Sequence, residues 1–333
     1  MPIARPALLV QLQPITPWRC GVGRPEEPAS LVPSDSLFGA VCDAMRLLGW
    51  LPEWLQTGAP ATRFTSLLPV QNDIYYAPLP EKVRTYAGLR RVRLEAVRFA
   101  TLAAIADLAA KKFDENRWVL DMGSGCLQPT DRTASGSPFR SIERHRSAVD
   151  RLSGVATTAA AGEGVEFAPH AGAWGLFVFD GAESAALWAP RLKAVFRLLS
   201  DAGIGGWRNA GWGRSRRPRF REGEAGRLLA QAGWKPAADE TATTQWWTLG
   251  LFAPHTEDAV AWDQGAYRTM GRAGWVEGAG SKPALRFVRE GAVLVSETEP
   301  MGRISESTVE GAAYPVTRYG AGLALPWPWE AQG

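Results

Sequence analysis

Apolar residues in this chain fall into short blocks, and their spacing sets the expected elements. Ala7 to Leu12 reads as a first strand, closed by Pro14. Pro33-Ser34-Asp35-Ser36 has the composition of a helix start with Ser34 as N-cap. Leu37, Val41, Ala44, Met45 and Leu48 then recur at helical spacing until Gly49 stops the run. Residues 63–70 read as a strand, and a helix is expected over about 99–112, with Leu102, Ile105, Ala106 and Ala109 on one face. Trp118-Val119-Leu120 and Trp174 to Phe179 are the firmest strand signals. The section between them, 129–164, is polar and rich in Gly and Ser, which points to a protruding hairpin or loop rather than core. Ala185 to Leu199 predicts an amphipathic helix burying Trp188, Leu192, Val195, Phe196 and Leu199. A Gly- and Arg-rich loop, 203–221, follows it. A strand over Gln245 to Phe252 ends at Pro254, and the remainder alternates short strands, such as 284–288 and 292–295, with turns.

This order is β-α-β-β-α-β with a decorated middle. The expected fold class is therefore α+β, with two ferredoxin-like (RRM-like) domains at 1–240 and 241–333. The first carries a β-rich hairpin insertion at about 129–170. The second copy is inferred from element order alone, since no internal repeat is visible in the sequence.

Hydrophobic residues make up 46% and charged residues 21% of the 333 positions, which excludes a disordered chain and allows a large core. No apolar run approaches the roughly 20 residues that span a bilayer. The start, Met1 to Val10, lacks the long apolar stretch of a secretory signal, so the expected location is cytoplasmic and no membrane partner is expected. Cys20, Cys42 and Cys126 are scattered and odd in number, which offers neither a disulfide framework nor a zinc spacing. The net charge of +3 says less than its make-up: of 37 basic residues only six are lysine. Arginine's planar fork binds phosphate in a bidentate way and stacks on bases, although a GC-rich genome also favours Arg, Ala and Gly.

Composition does not explain where the arginines cluster. Between 203 and 221 stand five glycines, Gly203, Gly205, Gly206, Gly211 and Gly213, and six arginines, Arg208, Arg214, Arg216, Arg217, Arg219 and Arg221, with no acid among them. Glycines free the backbone to turn its N–H groups toward an anion, and crowded arginines repel one another unless a polyanion is bound. Trp207, Trp212 and Phe220 are interleaved, as stacking platforms for bases would be. The segment is not a phosphate-binding NTPase loop, because no Gly-Lys-Ser/Thr closes it. Nor is it a dinucleotide fingerprint, because Arg208 stands at the third glycine's place and a helix precedes it.

This helix-then-glycine-loop segment resembles the signature of the RAMP superfamily, the ferredoxin-like RNA-binding proteins of CRISPR systems. Four further pieces resemble the 5′-handle-binding subunits of type III-A (Csm) effectors. Ser34-Asp35-Ser36-Leu37-Phe38-Gly39-Ala40 is similar to Ser-Asp-Thr-Leu-Phe-x-Ala at the first helix, and Ala148 to Gly154 is similar to an Ile-Asp-Arg-x-Thr-Gly element. Leu249-Gly250-Leu251-Phe252-Ala253-Pro254 is similar to Leu-Ser-Leu-Phe-x-Pro, and Arg318-Tyr319-Gly320 to Arg-Tyr-Gly. The matches are short but ordered, and they span 34 to 320. Ser36 departs from Thr, Gly250 from Ser, and the Ala/Gly stretch 155–164 from the expected hairpin.

The resemblance implies a non-catalytic subunit that holds the repeat-derived 5′ handle of the CRISPR RNA and docks the large polymerase/cyclase subunit and the first backbone RAMP subunit. Arg208, Arg214, Arg216, Arg217 and Arg219 would grip phosphates, and the glycine N–H groups and Trp207 would line the path. Ser34 and Phe38 at the first helix would contact the strand as well. The hairpin with Arg144, His145, Arg146 and Arg151 would wedge where handle meets guide. No cofactor, metal site or catalytic residue is expected. His145, in Arg144-His145-Arg146, is a weak general base, and Asp73, Asp121, Asp150 and Asp180 are isolated in sequence, with Asp150 read as a local ion pair to Arg151. His170 and His255, beside prolines, read as structural. Two alternatives stand beside this reading: a metal-independent endoribonuclease trimming precursor CRISPR RNA on the same fold, and a stand-alone single-stranded RNA-binding module. Finally, Leu325-Pro326-Trp327-Pro328-Trp329 is a candidate partner surface, because its prolines disfavour regular structure.

Overall fold

The computed structural model describes residues 2–20, 32–85, 89, 91–131, 136–234, 244–276, 280–311 and 315–327. The chain opens with strand β1 (Pro6–Leu12) and helix α1 (Ser34–Leu47), continued by the single turn α2 (Leu51–Glu53). Then come β2 (Thr62–Phe64), β3 (Leu68–Gln71), β4 (Ile74–Pro78), β5 (Phe99–Thr101), helix α3 (Leu102–Ala109), β6 (Trp118–Asp121) and β7 (Cys126–Pro129). The expected insertion is a long two-stranded hairpin, β8 (Phe139–Val149) and β9 (Ala156–Phe167). The first half closes with β10 (Ala171–Phe179), helix α4 (Ala182–Ala202), β11 (Arg219–Glu224) and helix α5 (Ala225–Gln231).

Nine strands form one sheet in the order β11-β1-β10-β3-β4-β5-β7-β6, with β2 also on β10. Its first four strands are antiparallel neighbours, and with α1 and α4 they make the β-α-β-β-α-β unit read from the sequence. β10 lies at the centre and all nine of its residues are buried, which is why it reads as an almost continuous apolar run. The strand period of two divides β1 between two cores. Leu8, Val10 and Leu12 face α1 and α4, beside Phe177, Phe179, Trp188 and Phe196. Ala7 and Leu9 face the opposite side, beside Trp174, Leu176 and Val178.

On that opposite side α5 packs with Ala225, Leu228 and Leu229, joined by the second half of the chain through Trp247, Leu249, Leu325 and Trp327. β12 (Gln245–Thr248) is the middle of a three-stranded sheet with β15 (Val293–Val295) and β18 (Ala324–Pro326). β13 (Thr269–Val276) pairs with β14 (Gly280–Val288), and β16 (Arg303–Ser307) with β17 (Val316–Gly320). Among the described residues no helix follows α5. In the region expected to hold the smaller ferredoxin-like copy, 241–333, the described residues form one three-stranded sheet and two strand pairs. The expected boundary, 240/241, lies outside the described residues.

Trp327 corrects the reading of the C-terminal segment. It is 1% exposed and packs with Trp234 and Trp247, ring centroids 6.0 and 5.8 Å away. Pro326 takes the edge strand β18, where its missing N–H costs least, and delivers the ring into the core shared by both halves. Trp327 therefore belongs to the protein's own core rather than to a partner surface; Trp329 lies outside the described residues.

Candidate nucleic-acid interface

The glycine loop begins where α4 ends. Gly203 takes φ +90°, its N–H donates to the carbonyl of Leu199, and the chain turns away from the helix. The next glycines are bonded inward. Gly206 donates to Arg19 O, Gly211 to Arg208 O and Gly213 to Pro17 O, at 2.7–2.9 Å. With Gly203, four of the five glycine N–H groups are thus engaged by the protein, and they do not line an RNA path as expected. Their freedom of φ serves a tight loop: at Gly213, φ is +84° and a Cβ would fall on the backbone of Ile204. Gly213→Ala is expected to destabilise the protein by about 2 kcal/mol or more, seen as a lower denaturation midpoint. An unshifted midpoint would show that the loop relaxes freely.

The loop's tryptophans are anchors, not free stacking platforms. Trp212 is buried and Trp207 half-buried, and the two rings meet edge-on at 5.0 Å. Trp207 lies where a side chain at Gly162 would be, and Trp212 where one at Gly164 would be. Two glycines on one face of β9 therefore seat two tryptophans of the loop and fix the foot of the hairpin against it. The guanidinium of Arg19, a residue the sequence did not single out, covers the Trp207 ring at 4.7 Å.

The arginines divide by environment. Arg208 pairs with Asp43 of α1 at 3.4 Å, and Arg214 donates through Nε to Asp201 O at 3.1 Å. Arg221 donates to the hydroxyl of Tyr75 and lies over its ring at 5.3 Å. Arg216, Arg217 and Arg219 are exposed, and among the described residues no acid pairs with any of them. On the hairpin, Arg144 and His145 are exposed, with His145 Nε2 3.8 Å from Glu143. The side chain of Arg146 lies outside what is described. Asp150 forms no ion pair with Arg151 among the described residues. It caps the hairpin turn, accepting from Leu152 N–H and Ser153 Oγ–H, and these bonds hold its carboxyl below the usual range. Arg151 and Leu152 stand exposed at that tip; Leu152 is 99% exposed, flanked by exposed Val149 and Val155. Among the described residues no group of three His, Cys, Asp or Glu side chains is placed to hold a metal ion, and no helix is long and apolar enough to cross a membrane.

Residues 241–327 match the family model of the CRISPR Csm4 C-terminal domain. The full-length fold is similar to a chain in the crystal structure of the Csm3-Csm4 subcomplex of the type III-A CRISPR-Cas interference complex, with TM-score 0.67 at 14% identity, over 96% of this chain and 99% of that one. The family match is thus confined to the C-terminal part, 241–327, and the likeness over the rest of the chain is one of fold. Further similar structures are chains of the Csm1-Csm4 cassette, one with pppApA (TM-score 0.60, 16% identity) and one with cA4 (0.59, 17% identity). Each match covers 98% of this chain and 100% of the other. No curated protein matches the chain in sequence.

Three of the motifs that carry the resemblance meet at one place, the seam between the two halves. Ser34 is fully buried; its N–H donates to Ser66 Oγ and its own Oγ accepts from Leu251 N–H of the Leu249–Pro254 motif. Ser66 in turn bonds Glu290, whose carboxyl burial pushes up. Asp35 accepts from Nε and an Nη of Arg272 on β13 at 3.0 and 2.9 Å, and Ser36 accepts from the same guanidinium at 2.6 Å. Arg318 donates to Arg272 O, and Tyr319 stacks against Phe38 and Phe64 with centroids 5.0 and 4.2 Å apart. Ser34 and Phe38 are therefore not RNA contacts. Both side chains are at most 2% exposed and are consumed in joining α1 to the second half.

Proposed function

We propose that this chain is the non-catalytic RNA-binding subunit of a type III-A CRISPR effector complex. It holds the 5′ repeat-derived handle of the CRISPR RNA and docks the large polymerase/cyclase subunit and the first backbone RAMP subunit, in the cytoplasm. The observation that carries the RNA role is the exposed strip of Arg216, Arg217 and Arg219, which no acid neutralises among the described residues, on a fold shared with solved Csm4-containing complexes. Guanidinium groups in that state favour a polyanion, and single-stranded RNA supplies both phosphates and bases. The pinned hairpin adds Arg144, His145 and Arg151 and an apolar tip at Leu152, suited to enter between bases at the end of the handle. Docking to the two protein partners follows the Csm1-Csm4 and Csm3-Csm4 pairings of the similar structures.

The direct test is binding of a short RNA carrying the repeat-derived handle against a scrambled RNA of equal length, with the same samples followed for cleavage with and without magnesium. Handle RNA is expected to bind more tightly and to stay intact. Cleavage that vanishes in His145→Ala would replace this reading with the endoribonuclease. Equal binding of both RNAs would replace it with a stand-alone module.

A further inference from the structure

A trough on the sheet runs beside the free end of the arginine strip, where the ends of β1 and β10, the β3–β4 turn and the start of β11 converge. Two clefts, of about 180 and 450 Å³, share Gln11, Asp73 and Arg219 as lining residues, so they form one continuous depression. Arg217 lines the first cleft, and Tyr75 and Arg221 line the second. Arg219 and Arg221 stand two residues apart on β11 and face the same side, a separation of roughly 6.7 Å along the strand.

Three of the polar side chains in the trough are linked by hydrogen bonds. Arg221 donates to Tyr75 Oη, and Tyr75 Oη–H donates to Gln11 Oε1 at 3.4 Å. In this relay Gln11 accepts through its amide oxygen, which leaves its NH₂ group as a donor for the trough. Asp73 sits in the β3–β4 turn, where Asn72 and Asp73 have φ of +51° and +58°, and the Asn72 N–H bonds the carbonyl of His170 at 3.1 Å. The exposed carboxylate of Asp73 is thus held by a tied turn rather than a loose loop. The trough combines a carboxylate that only accepts, an amide that donates, and two guanidinium groups without an acid partner among the described residues.

A base edge that meets such a set must offer two adjacent donors and one acceptor. The Watson–Crick edge of guanine has this order, with N1–H and N2–H₂ for the carboxylate and O6 for the amide. Adenine and cytosine each offer one amino group beside an acceptor, which would face the carboxylate's like charge. We propose that two consecutive nucleotides of single-stranded RNA lie in this trough, with a guanine read by Asp73 and Gln11 and the phosphates held by Arg217 and Arg219. The proposal rests on the RNA-binding reading above and adds the base and the place where it is read.

The test uses the full chain and fluorescently labelled eight-nucleotide RNAs: all uridine, and a series with one guanosine at each position. Wild type is expected to bind the best guanosine-containing RNA about tenfold more tightly than the uridine RNA. Asp73→Asn should erase that preference while keeping binding to the uridine RNA, since Asn tolerates the left-handed conformation and the turn should persist. Arg219→Ala should keep the preference and lower the salt slope of binding by about 0.7. A guanosine preference unchanged in Asp73→Asn would overturn the proposal and leave RNA binding standing. Guanosine monophosphate that binds as tightly as the RNA would overturn the strand. No RNA binding by wild type would overturn both readings.

Discussion

Asp35→Ala is expected to cost about 3–5 kcal/mol of folding stability. The reason lies in what it leaves behind. The side chain of Arg272 is 5% exposed, its guanidinium bonds both oxygens of Asp35 and Ser36 Oγ, and removal of the carboxylate takes the counter-charge from a buried cation. The same pair links α1 to β13, so the loss falls on the contact between the two halves as well as on the ion pair itself. Arg272→Met should cost less, because an apolar side chain of similar length removes the buried charge and leaves an anion nearer the surface. The double variant Asp35→Ala with Arg272→Met should be more stable than Asp35→Ala alone, since no unpaired charge remains. Urea denaturation of the three variants measures this. An Asp35→Ala loss below about 1 kcal/mol would mean that the pair behaves as an exposed one.

The second large effect concerns RNA. Changing Arg216, Arg217 and Arg219 together to Ala should weaken binding of single-stranded RNA by at least about 100-fold at physiological salt, because each charge-assisted contact contributes roughly 1.5–3 kcal/mol. The slope of log affinity against log salt should flatten by about 2, three contacts at roughly 0.7 each. The protein's own stability should hardly change, since these side chains make no ion pair among the described residues. The triple variant Arg5→Ala, Arg140→Ala and Arg191→Ala is a control, because those guanidinium groups already pair with Glu299, Glu166 and Glu53. An equal loss in the control would point to general charge, not to this strip.

The elements built on local periodicity are legible in the amino-acid sequence. β1, β10, α1 and α4 each carry an apolar pattern that one face of a strand or helix explains, and the hairpin shows itself by the lack of such a pattern between two firm strands. What is not legible depends on residues far apart in sequence. Arg208 looks unpaired because Asp43 stands 165 residues earlier, and the N–H groups of Gly206 and Gly213 look free because their acceptors, Arg19 and Pro17, belong to the first loop. Ser34 and Phe38 lie in a segment that resembles a family motif, yet in this structure they join the two halves, which only the position of Leu251 and Tyr319 reveals. The second half is expected to repeat the first, and the sequence does not show that its strands gather as a three-stranded sheet and two pairs, with Trp247 and Trp327 meeting Trp234 of the first half. Asp73 reads as isolated and His170 as structural; the turns that bring them to the trough take left-handed φ values that their residue types permit but do not announce.

Whether the chain holds the 5′ handle of a CRISPR RNA within an effector complex is tested most directly by purifying the tagged protein from its own cells and sequencing the 5′ ends of the RNA that comes with it. Short RNAs are expected whose 5′ ends fall at one fixed position inside the CRISPR repeat, each followed by a different spacer. Bound RNA with scattered 5′ ends unrelated to repeats, or the absence of bound RNA from the assembled complex, would contradict that role.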